Sequence, residues 1–164
     1  MKWILVISML TSALIGLVAM TAAGDKVPDE RQHVVKVLDQ LHEYAAKADG
    51  AKYFELFSTH AVFLGTDATE RWTIDEFKSY AMKRFETGTG WTYTVVPGKR
   101  FVTFAGNVAW FDELLENAKY GTCRGTGVLQ NVGGVWKIEQ YNLALTVPND
   151  AAEAVVGVIR AKPG

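Results

Sequence analysis

Cysteine is nearly absent from this chain: Cys123 is the single one in 164 residues. An intramolecular disulfide and a thiolate metal cluster are therefore excluded. Histidine is also scarce, and His33, His42 and His60 all lie far upstream of that thiol, so Cys123 reads as a buried strand residue rather than a nucleophile with a base beside it. His33 and His42 are nine residues apart, which is no ligand pair, and both read as surface or edge residues of a helix. His-x-His spacings, nucleophile elbows and glycine-rich phosphate loops are missing; Gly125-Thr126-Gly127 lies within a strand and opens no helix. Neither a metal nor a cofactor is expected. There is no run of Lys or Arg and no acidic tail, and 17 basic against 18 acidic residues leave the chain near neutrality. Without a basic face, nucleic acid is not an expected partner.

Aromatic side chains are plentiful instead, with five Trp, six Tyr and eight Phe. That is more than one domain of this length needs for its core, and aromatics also line small-molecule pockets. The β signal is concentrated between Asn107 and Asn149. Val108 to Glu116, Thr122 to Val132 and Val135 to Val147 read as three consecutive antiparallel strands, the last two joined at Gly133-Gly134, a pair suited to a tight hairpin. Gly125 and Gly127 inside the middle strand predict a bulge, a bend or a close approach by another group.

At the N-terminus, Lys2, the apolar run from Trp3 to Met20 and the small residues Thr21-Ala22-Ala23 follow the order of a secretory signal peptide, with cleavage expected after Ala23. The alternative is an uncleaved anchor, because eighteen apolar residues just span a bilayer. The expected organisation is thus a signal peptide over 1–23, a domain over 24–149 and a C-terminal helix or tail over 150–164. The product would be exported, periplasmic or secreted, with no membrane contact after cleavage.

Within the domain, Val34, Val37, Leu38, Leu41, Ala45 and Ala48 keep a helical period over 30–48. A short helical piece covers Ala51 to Phe57, and His60 to Gly65 reads as a strand. Thr66 to Arg71 reads as a polar turn. Thr73 and Glu76 form a capping box for a helix over 74–86. Trp91 to Val96 and Arg100 to Phe104 form one strand kinked at Pro97-Gly98, or two short ones. Helices followed by long consecutive strands give an α+β class with helices on one face of the sheet.

With these elements placed, the chain resembles the nuclear transport factor 2-like superfamily and, within it, the SnoaL-like group. The resemblance runs over roughly Glu30 to Asn149. It rests on the Thr73-capped helix, Ala109-Trp110-Phe111, Thr126-Gly127-Val128, and Gly134-Val135-Trp136-Lys137-Ile138 leading to Gln140-Tyr141-Asn142. It implies a cone-shaped curved antiparallel sheet wrapped on N-terminal helices, a cystatin-like arrangement open at one end, and a homodimer through the outer sheet face. Relatives commonly carry a histidine near the end of the last strand, where this sequence has none.

Period-two alternation then selects site residues. On the last strand Trp136, Ile138, Gln140 and Asn142 share a face. On the first of the three strands only one of Asp112 and Glu113 can face inward; Asp112, on the face of Trp110, is the preferred acid. A carboxyl in an apolar cone is desolvated and suits a proton shuttle, with Arg124 as its partner or as the partner of a ligand carboxylate. Tyr53 and Trp72 could line the cavity from the helical side. The leading expectation is a small-molecule-binding pocket protein formed from Trp110, Arg124, Gln140, Asn142, Tyr53 and Trp72. The alternatives are a cofactor-free isomerase or dehydratase using Asp112, and a dimeric assembly module.

Overall fold

The computed structural model describes residues 26–162, so the signal-peptide reading of 1–23 lies outside the described residues. No helix among the described residues is long and apolar enough to cross a membrane. The chain opens with α1, Lys26–Ala46, and α2, Gly50–Glu55. Val34, Leu38, Leu41 and Ala45 recur every three or four residues along α1 and are all buried, so the stripe legible in the sequence is the face laid on the sheet. Asp49 caps α2 by accepting from the Lys52 amide.

Six strands follow with one helix among them: β1 Phe57–Leu64, β2 Arg71–Thr73, α3 Ile74–Phe85, β3 Thr94–Ala105, β4 Val108–Asn117, β5 Gly121–Val132 and β6 Val135–Leu145. They form one sheet in the order β2-β1-β6-β5-β4-β3. Every pairing is antiparallel except β1 with β6, which is parallel. That parallel pair lets the N-terminal part of the chain close against the last strand. The short β2 was not expected; Arg71 to Thr73 pairs with Val62 to Leu64, and three residues of ladder are too few to leave a periodic signal.

The capping box at Thr73 is present. Glu76 donates its amide to the Thr73 hydroxyl, and its carboxylate accepts from the Thr73 amide at 2.8 Å. Thr73→Ala should cost about 1 kcal/mol in chemical denaturation. The Thr73 hydroxyl and amide bonds hold the Glu76 carboxyl below its usual range. A depressed carboxyl stabilises fully above its unfolded pKa and loses that contribution as pH falls through its folded one, so the penalty of Thr73→Ala should shrink on acidification.

Two irregularities set which side chains face the core. Between Val95 and Arg100 the β3–β4 register slips. The Pro97-Gly98 kink absorbs the extra residues and the strand continues as one. Between Val128 and Leu129 the β5–β6 register slips as well: Val128 faces Gln140 while Leu129 faces Ile138, so Glu139 is a bulged residue. The Glu139 carboxylate accepts from the Ser58 hydroxyl at 2.6 Å. After the bulge the inward set on β6 changes from Trp136 and Ile138 to Tyr141 and Leu143.

At the C-terminus a 3-10 turn leads into α4, Ala152–Ala161, none of whose residues is buried. Cys123 is fully buried beside Leu115, its partner across β4–β5. Burial, with Glu116 nearby, raises its thiol pKa. The native protein should therefore resist thiol reagents at neutral pH, with one thiol appearing only on denaturation; prompt labelling of the folded protein would contradict this placement.

Candidate active site and cavity

β4 pairs with β5 over ten consecutive residues without a slip, so its side chains alternate strictly. Ala109, Phe111, Glu113 and Leu115 are buried, and Trp110, Asp112 and Glu116 are exposed. The inward acid is therefore Glu113, with no exposed surface, and the preference for Asp112 is corrected. A carboxylate that loses all contact with water must be paired or hydrogen-bonded. Both its oxygens are occupied. Arg100 donates from Nε to one at 2.6 Å, and His42 Nε2 lies 2.7 Å from the other.

The backbone explains each contact. The kink in β3 brings Arg100 directly opposite Glu113 in the ladder. Asp39 and His42 lie one turn apart on α1, and Asp39 accepts from Arg100 Nη1 at 2.6 Å. Burial opposes the Arg100 charge, but Glu113 and Asp39 outweigh it and raise its pKa. Its remaining nitrogen, Nη2, is buried with no hydrogen-bond partner. On the other side of Glu113, Gly125 stands opposite it in β5. A Cβ there would come within 2.9 Å of a Glu113 oxygen and 2.8 Å of the Tyr141 hydroxyl. The missing side chain at Gly125 is thus the space occupied by the acid and the phenol.

A cavity of about 310 Å³ opens beside this cluster. Leu41 and His42 reach it from α1, Tyr53 from α2, Phe77 and Tyr80 from α3, and Tyr141 and Leu143 from β6. One wall is a pile of near-parallel rings. Trp72 and Phe77 lie 5.5 Å apart at 12°, Phe77 and Phe63 3.7 Å apart at 12°, and Phe63 and Tyr141 5.5 Å apart at 22°. Burial keeps the Tyr53 phenol protonated far above neutral pH, as do burial and the Glu113 charge for Tyr141. Burial, with Cys123 nearby, pushes Tyr93 up to about 12. These phenols are neutral hydrogen-bonding groups, neither bases nor nucleophiles at physiological pH.

Of the residues chosen from sequence, Tyr53 and Trp72 line the cavity. Trp110, Asp112, Arg124, Gln140 and Asn142 stand together on the opposite, outer face of the sheet. Trp110 is 45% exposed, Asp112, Arg124 and Gln140 are exposed, and Asn142 is half-buried, donating to the Thr126 hydroxyl at 3.4 Å. Gln140 and Asn142 were misplaced because the bulge at Glu139 inverts the alternation. Arg124 pairs with Leu114 in the ladder, and the arginine that meets the inward acid is Arg100. His42, read as a surface or edge residue, is instead a member of the site. The signal for it was the Asp39/His42 spacing, which puts two polar side chains beside the buried Leu38 and Leu41.

A mixed six-stranded sheet carried on N-terminal helices, with a cavity between them and an ion-paired acid beside it, defines an α+β protein of the open, curved-sheet type. The chain belongs to the SnoaL-like domain family, which matches residues 34–148. No curated protein matches the sequence. Among solved structures it is similar to a cystatin-like-fold domain of unknown function from Nostoc punctiforme (16% identity, 83% of this chain and 88% of that one, TM-score 0.64). It is also similar to a protein from Streptomyces avermitilis provisionally named a dehydratase of the nuclear transport factor 2-like family (11%, 74% and 99%, 0.63). A third is provisionally named a scytalone dehydratase, from Novosphingobium aromaticivorans (13%, 75% and 88%, 0.61). These likenesses establish the fold.

Proposed function

We propose that this protein is an exported binder of a small, partly apolar molecule held in the cavity between the helices and the sheet. The observation that carries the reading is the aromatic cavity itself, joined to an inward acid already neutralised by Arg100. Pockets of this size, about 300 Å³ and upward, with apolar walls and a few convergent polar groups, suit small organic ligands. An inward carboxylate without a cation would point to use as an acid or base; Glu113 has one, so its charge is accounted for structurally. Native mass spectrometry of the protein from its source cells tests the reading. A stoichiometric adduct should be lost in Trp72→Ala and retained in Trp110→Ala, whose side chain lies on the outer face. An adduct insensitive to Trp72, or lost in the Trp110 variant, would place binding elsewhere.

One observation favours a second reading, a cofactor-free isomerase or dehydratase. His42 both lines the cavity and contacts Glu113, an arrangement in which a carboxylate orients an imidazole for proton transfer; two similar structures bear dehydratase names. If so, the bound ligand should exchange carbon-bound hydrogen in D2O, and His42→Gln should abolish exchange while keeping the adduct. The outer face, with Phe101 57% and Trp110 45% exposed, suits a homodimer contact, for which the oligomer mass in the same spectra is the readout.

A further inference from the structure

The charges around the cavity are unevenly placed. At the inner end the lining side chains are the neutral Tyr53 and Tyr141 phenols and His42, and His42 is already engaged by Glu113 at 2.7 Å. At the outer end, where the lining residues are exposed, Arg84 and Lys119 face a single acid, Glu70. Neither cation forms an ion pair among the described residues. Arg84 donates from Nε and Nη2 to the Gly90 carbonyl and its guanidinium lies 5.2 Å over the Trp91 ring; Nη1 has no protein partner among the described residues. The Lys119 ammonium stands 4.8 Å over the Tyr120 ring and makes no hydrogen bond there.

Between the two ends the walls are flat. Tyr80 lies 5.0 Å from Trp72 at 30° and 6.4 Å from Trp91 at 16°, so the three lining rings are tilted little from one another. A planar ring system can join such a near-parallel set in offset stacking. The Tyr53 and Tyr141 hydroxyls, neutral and without protein hydrogen bonds among the described residues, offer partners deeper in.

We propose that the cavity takes a planar aromatic carboxylate, its rings against Trp72, Tyr80 and Trp91, its carboxylate at Arg84 and Lys119, and a hydroxyl or carbonyl group pointing inward to Tyr53 and Tyr141. This assignment rests on the binding reading and adds the ligand class and orientation to it. In the opposite orientation the carboxylate would leave the two cations for the neutral Tyr53 and Tyr141 hydroxyls, and a cationic ligand meets two like charges at the entrance.

Calorimetric titration of the full protein with 6-hydroxy-2-naphthoate and with 2,6-dihydroxynaphthalene separates the two levels, because the probes differ only in the carboxylate. The acid should bind about tenfold tighter, the difference of one charge-assisted contact. In Arg84→Gln/Lys119→Gln that preference should fall to about twofold or less with the diol affinity unchanged. Lys119→Gln alone, at an exposed turn, should remove part of it if the double variant does not fold. Equal affinities for the two probes, or a preference that survives the cation substitutions, would overturn the ligand class while leaving the cavity as a binding site. Failure of both probes to bind would overturn the cavity reading itself.

Discussion

Glu113→Ala should destabilise the domain by about 3–5 kcal/mol, because it removes one partner of a buried pair and leaves the other charged. Arg100 would keep only Asp39, with a second nitrogen joining Nη2 as a buried donor without an acceptor. Against a total stability of about 5–15 kcal/mol for a domain, the loss should shift the urea midpoint by more than about 1 M. The mechanism predicts a pattern across variants. Asp39 is 62% exposed in its side chain, so Asp39→Ala should cost under about 1 kcal/mol. Glu113→Met with Arg100→Met removes both charges and should recover much of the loss. A Glu113→Ala variant within about 1 kcal/mol of the parent would show that the cluster is not buried and paired as described.

The same cluster marks where sequence reasoning stopped. The helix stripe, the capping box, the kink at Pro97-Gly98 and the buried thiol were legible because each is encoded locally, in a period or a short motif. The α+β class was legible because the order of those elements restricts how they can pack. What was not legible is relative phase. Whether Asp112 or Glu113 points inward is a choice between two alternating sets, Trp110/Asp112/Leu114 and Phe111/Glu113/Leu115, of nearly equal hydrophobicity. The choice is made by the partners: Arg100 and Gly125 flank Glu113 in the ladder and His42 reaches it from a helix 71 residues earlier. The placement of Gln140 and Asn142 failed for the related reason that a single inserted residue, Glu139, reverses alternation beyond it. Yet Gly125 and Gly127 had flagged a bulge or a close approach, and both occur: the bulge beside Gly127 and Val128, and the approach of Glu113 and Tyr141 to Gly125.

Gly127→Ala should accordingly be more damaging than a single methyl group suggests. A Cβ at that position would lie 2.2 Å from the Gln140 carbonyl oxygen and 2.8 Å from the Phe111 ring. The first of these is backbone held beside the bulge, and the second is a buried core ring packed 6.1 Å from Tyr141 at a 36° tilt, so neither can withdraw cheaply. The strand must part from β6 where the inward set changes, and overpacking of this kind costs about 1–3 kcal/mol or more. Because Tyr141 is the first inward residue after the bulge, its ring should move with it, and the cavity should change shape as well as the stability. Thr126→Ala, one residue earlier on the outer face and losing only the long Asn142 contact, should stay within about 0.5 kcal/mol and leave binding intact. If Gly127→Ala were as mild as Thr126→Ala in both stability and ligand affinity, the β5–β6 bulge could not be what aims Tyr141 into the cavity, and the inward alternation on β6 would have to be redrawn.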